Sequence, residues 1–127
     1  MVQTDVSQLS GECNAWRETL RTYRDEFSHD KVRLQKAAAH ALTKDQLQAV
    51  EHLQNQFHIQ LINIHDLKQA IKMHDRKMNL ELSAASPEQQ DALLAEHEEL
   101  YGQYQSLEHT LQELRSEFDQ FLNRSHS

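Results

Sequence analysis

Nine histidines and a single cysteine, Cys13, are the side chains of this 127-residue chain best suited to holding a borderline or soft transition metal. Two ligands on one helix must stand three or four residues apart, because only that spacing puts them on one face. No two histidines are so placed; His58 and His65 are seven apart, about 10 Å along a helix axis. One Glu-x-x-His, Glu26 to His29, falls short of the two that a ferritin-like di-metal site uses, and Phe27 between them takes the inward position. A constellation built across helices remains. Counted inward from the turns at equal helical rise, Cys13, residues 73–75 and residues 96–98 share one level. Cys13, His74 and His97 are then neighbours beside Trp16, and a thiolate with two imidazoles suits zinc or copper. The plainer reading is preferred from sequence. It makes Cys13 a small core residue, His97 a seam histidine bonded to a neighbour or water, and His74 a side chain at the bundle edge.

Other chemistry is not legible. Cys13 has no Cys/His nucleophile pattern around it. Gly11 and Gly102 are isolated, so no phosphate-cradling loop exists. Carboxylates are abundant but spread over helix faces, and Trp16, Tyr23, Tyr101 and Tyr104 read as packing residues. The chain is expected to be no enzyme and to use no cofactor.

The elements that position these residues are helices. SAASPEQQ, residues 83–90, contains the only proline, and Ser86, Pro87 and Gln89 form an N-terminal capping box. Beyond it Leu93, His97, Leu100, Tyr104, Leu107, Leu111, Leu114, Phe118 and Phe121 follow alternating steps of four and three, a heptad seam that only His97 interrupts. A second box, Thr43 to Gln46, opens a helix whose expected seam is Leu47, Val50, Phe57, Leu61, Ile64, Ile71, Met78 and Leu82. Residues 55–65, NQFHIQLINIH, alternate like a strand for three positions and then fail at Ile62, so the helical period wins. Upstream, Leu9, Cys13, Trp16, Leu20, Tyr23, Phe27, Leu34, Ala37 and Ala41 repeat the pattern, with Asp30 in one seam position. Short links make successive helices antiparallel. The expected fold is all-α: one domain, an up-down-up antiparallel three-helix bundle, long and coiled-coil-like, with helices near 7–41, 44–82 and 87–123. A basic block ending helix 2 (Lys68, Lys72, Arg76, Lys77) is expected to face an acidic block opening helix 3 (Glu88, Asp91, Glu96, Glu98, Glu99) and to set register.

Composition removes several function classes. The net charge of −7 argues against a nucleic-acid partner, which needs a basic face, and against anionic membrane surfaces. No stretch approaches the roughly 18 apolar residues of a membrane span. One cysteine makes no internal disulfide, and MVQTDVSQLS lacks the marks of a signal peptide, so a cytoplasmic protein is expected.

EHLQNQFHIQLINIHDLKQAIK, residues 51–72, resembles the central helix of a small bacterial family of uncharacterised helical proteins, through HLQNQFHIQ and the DLK that follows. The resemblance implies a cytosolic bacterial protein with no assigned chemistry and gives no functional residues to carry over. In shape alone the chain resembles a spectrin-type repeat with Trp16 on the first helix, which implies nothing about function.

With Phe57, Leu61 and Ile64 inward, flanked by Leu53 and Leu67, Ile59 and Ile62 project to the other side. Met73 and Leu80 extend that strip, and Asp66 interrupts it. Adjacent exposed isoleucines invite association. The leading expectation is therefore a non-enzymatic interaction module of adaptor, assembly-factor or chaperone-like type whose contact strip is Ile59, Ile62, Asp66 and Met73, covered by a second copy in a homodimer or, as the alternative, by an unidentified different protein. The alternative is a metal-binding or metal-sensing bundle using Cys13, His74 and His97. A third reading, docking of a basic partner on Glu96, Glu98 and Glu99, ranks below both.

Overall fold

The computed structural model describes residues 6–40 and 42–125, with no side-chain description at Ser125. Three helices account for almost all of it: α1 (Val6–Ala38), α2 (Lys44–Glu81) and α3 (Pro87–Ser125), with a 3-10 turn at Leu82–Ala84 between the last two. At 1.5 Å per residue these are rods of about 50 to 60 Å. The molecule is a three-helix all-α bundle.

Local chemistry explains the starts. Thr43 caps α2 through a reciprocal box: the Gln46 N–H donates to Thr43 Oγ1 at 3.2 Å, and the Thr43 N–H donates to Gln46 Oε1 at 2.8 Å. Ser86 and Gln89 repeat the exchange at 3.0 and 3.3 Å, with Pro87 at the first helical position, where its missing N–H costs nothing. The first helix ends earlier than expected, at Ala38. The N–H groups of Ala39 and His40 donate to carbonyls three residues back, Lys36 and Ala37, so the backbone tightens and leaves the helix before Leu42. The expectation for Ala41 lies outside the described residues.

The core is a continuous stack drawn from all three helices. Phe57 sits with its ring centroid 5.3 Å from both Phe27 and Phe118, edge-on to the latter. Along the stack Leu20, Leu34, Ile64, Ile71, Met78 and Leu111 are all fully buried. Cross-helix pairs fix the relative level of the rods. His52 meets Glu117 and His74 meets Glu96, so numbers rise on α2 as they fall on α3. Glu12 meets His97 and Glu26 meets Arg115, so numbers rise together on α1 and α3.

The α2 seam differs from the expected one in three places. Leu47 is 53% exposed, Leu61 is only partly buried, and the inward position beside it belongs to Gln60. The buried residues Val50, Leu53, Phe57, Gln60, Ile64, Leu67, Ile71, His74 and Met78 step by three and four throughout. Two polar members, Gln60 and His74, hide that regularity from a reading based on apolar residues. Gln60 keeps a polar partner, accepting from the Asn63 side-chain amide at 3.1 Å. Asp30 is buried on α1, held by Arg33 at 3.3 Å, and the helix runs through it unbroken. Among the described residues, no helix is long and apolar enough to cross a membrane.

Candidate metal centre

Each helix contributes one inward side chain to a single level of the bundle: Cys13 from α1, His74 from α2 and His97 from α3. One ligand-capable atom from each lies within 4.8 Å of the other two. His74 is 1% exposed, so it is a seam residue and not the bundle-edge side chain the plainer reading assumed. The reason is its place in the α2 repeat, three residues after Ile71 and four before Met78.

The hydrogen bonds around the two rings set their protonation. His74 Nδ1 lies 2.8 Å from Glu96 Oε1, and His97 Nε2 lies 2.8 Å from Glu12 Oε1. An ionised carboxylate only accepts, so each of these outer nitrogens carries a proton and donates it. A neutral imidazole has one such proton. The inner nitrogens, His74 Nε2 and His97 Nδ1, then point bare lone pairs at each other across 3.1 Å. Cys13 Sγ stands beside them, 3.9 Å from His97 Nδ1. Three gaps along the line Glu96–His74–His97–Glu12 are thus served by two protons. The protonated Cys13 thiol can donate to His97 Nδ1, and a third proton or a cation would complete the middle gap.

Burial bears on which of these is favoured. Desolvation pushes the His74 pKa down, opposed by its bond to Glu96, so an imidazolium there is discouraged. The Cys13 thiol is pushed up to about 12, first by burial and then by the charges of Asp75 and Glu12. Without a cation the sulfur therefore stays protonated. A bound metal ion reverses that, because it stabilises thiolate directly.

Trp16 roofs the cluster. Its ring centroid is 4.8 Å from His97, and Tyr101 and Tyr104 stack against it at 5.5 and 5.9 Å. Outside this roof a groove of about 480 Å³ runs over Leu9, Trp16, Leu94 and Tyr101, with Glu12 and His97 in its wall.

Other sequence-derived candidates are placed differently. Ile59, Ile62 and Met73 are 45%, 47% and 70% exposed, and Asp66 is exposed with them, so the strip stays on the surface of α2. Glu96 is partly exposed and bonded to His74 and to Lys77 at 3.7 Å, while Glu98 and Glu99 are exposed. Lys68 does not face the acidic start of α3. It lines a groove with Asn14, Arg17, Arg21 and Arg24 of α1, and its pKa is lowered by burial and then by those three guanidiniums. Sequence reasoning missed that cationic cluster, although Arg17, Arg21 and Arg24 recur at helical spacing. It also missed Glu12 and the inward role of Glu96, which flank seam residues at the level of the cluster.

Comparison with protein-family models, with curated proteins and with solved structures returned no match.

Proposed function

We propose that this bundle is a non-enzymatic transition-metal-binding protein that holds one ion between Cys13, His74 and His97. One observation carries the reading: both imidazoles give their outer N–H to a carboxylate, leaving two inner nitrogens 3.1 Å apart beside a thiol. Carboxylate–histidine–metal relays have this form, the outer carboxylate fixing the tautomer and raising the basicity of the ligating nitrogen. The test is elemental analysis of untagged protein, then loading of the metal-stripped chain and dialysis against a metal-free buffer. One retained equivalent is expected for the native chain and none for a Cys13→Ser, His97→Phe double variant of matching helicity. Equal metal in both samples, or none in either, removes the proposal.

A second reading rests on a separate observation, the half-exposed Ile59 and Ile62 with Met73 and Leu80 on α2. It supports self-association as a homodimer, in keeping with a helical interaction module. Light scattering across a dilution series decides it. A dimer converted to a folded monomer by Ile59→Asp with Ile62→Asp supports the reading, whereas a native chain that is monomeric throughout rejects it.

A further inference from the structure

We infer that the ion this site selects is copper(I), bound in three-coordinate form by Cys13 Sγ, His74 Nε2 and His97 Nδ1. The inference rests on the metal-binding reading and concerns which metal that site takes. Zinc sites are almost always four-coordinate, with a fourth side chain when structural and a water when catalytic. Neither source serves this cluster. The two nearest carboxylates, Glu12 and Glu96, are bonded to the outer ring nitrogens and so lie across each imidazole from the inner donors. Asp75 accepts from the Asn79 side-chain amide at 3.0 Å and stands outside the close group. Burial leaves little room for a water ligand: Cys13, His74 and His97 are 0%, 1% and 5% exposed, and Trp16 covers the His97 ring where it borders the outer groove.

A closed set of three donors, one of them sulfur, suits a soft ion content with low coordination. Copper(I) has a filled d shell, no preference for an octahedral or square field, and high affinity for thiolate and imidazole. The ligand exchange balances without redox chemistry. Copper(I) forms bonds to the sulfur and the two inner nitrogens, the Cys13 thiol releases its proton to solvent, and both imidazoles remain neutral, their outer N–H groups still donating to Glu12 and Glu96. The positive charge offsets the thiolate, so the buried core of the complex carries no net charge. The geometry asks for one adjustment. Metal–nitrogen bonds of about 2.0 Å and a metal–sulfur bond of about 2.3 Å allow donors no more than roughly 4.3 Å apart. That limit applies to a linear pair; three-coordinate angles near 120° bring sulfur and nitrogen to about 3.7 Å, so from a span of up to 4.8 Å Cys13 Sγ moves inward by about one ångström on binding.

The experiment uses the full chain, stripped of metal and kept anaerobic, with copper(I) delivered from a bicinchoninate buffer. Zinc is offered separately against a chromophoric chelator. The expected result is one copper(I) per chain taken from the competitor, with two nitrogens and one sulfur in the copper X-ray absorption spectrum. Cys13→Ser, close in volume, is expected to keep its helicity and lose the copper to the competitor. If one zinc is held and copper(I) is not, the copper assignment falls while the metal-binding reading stands. If neither ion is held, both fall together. Copper retained equally by Cys13→Ser, or a four-coordinate spectrum, also overturns the assignment.

Discussion

Filling the cluster should raise the melting temperature by an amount that the geometry allows to be calculated. All three donors already converge in the folded chain, and two are held by carboxylates, so little reorganisation beyond the inward step of Cys13 is charged against binding. An ion held at a free concentration 1,000-fold above its dissociation constant stabilises the native state by about 4 kcal/mol. Unfolding entropy near 2.1 cal/mol/K per residue gives roughly 0.27 kcal/mol/K for a chain of this length, so the midpoint rises by about 15 °C. The assay is thermal unfolding followed by circular dichroism at 222 nm, on metal-stripped and loaded protein, beside Cys13→Ser and His97→Phe. The rise should be confined to the native chain. A rise of equal size in Cys13→Ser would place the ion elsewhere. No rise in protein carrying one tightly held equivalent would mean that the folded arrangement is not what binds, and the reasoning from convergence would be refuted.

Replacing Glu12 by Gln removes the charged acceptor of His97 Nε2–H while leaving an amide oxygen in reach, so metal affinity should fall about 10- to 100-fold with helicity unchanged, as read by competitor titration. Asp30 titrates abnormally: burial raises its carboxyl pKa, and Arg33, Arg115 and His29 offset this only in part. The folded chain thus keeps this proton to higher pH than the unfolded chain, and stability is lost as pH rises from the ordinary carboxyl value through the raised one. Asp30→Asn should remove that slope and make the protein more stable at pH 7; urea denaturation between pH 3 and 7 measures both effects, and an unchanged slope would contradict them. Phe57→Ala empties the centre of the aromatic triad and should cost about 3–5 kcal/mol, a fall in midpoint of more than about 10 °C.

Most of the fold was legible because its determinants are local and periodic. The boxes at Thr43–Gln46 and Ser86–Gln89 mark helix starts by residue type alone, and both form. Counting levels from the turns was enough to place Cys13, His74 and His97 side by side, because three continuous helices keep their rise over the whole distance. What escaped the sequence involves polar groups inside the repeat. A period read from apolar residues skips polar seam members, so it selects Leu61 in place of Gln60 and leaves His74 at the edge. The end of α1 escaped too, because KAAAH offers no glycine or proline to mark it. Glu12 and Glu96 could not be read at all. Whether a flanking carboxylate reaches back over a neighbouring imidazole is set by side-chain torsions and cross-helix spacing, neither of which appears in a pattern of residue types. Lys68 turned to α1 for the same reason.

The distribution of donors, one to a helix, ties the ion to the finished topology. Cys13 and His97 are 84 residues apart in the chain, and His74 and His97 are 23 apart. Closing a flexible loop of 84 residues costs about 4 kcal/mol in chain entropy before any contact repays it. A helical hairpin of α1 and α2 would offer one sulfur and one nitrogen, and a hairpin of α2 and α3 would offer two nitrogens without the sulfur. Neither half-built form carries the complete ligand set, and no pair of histidines in the chain is spaced to chelate within a single helix. An ion that needs all three donors would therefore discriminate against every partly folded form, and it would be released whenever any one helix peels away.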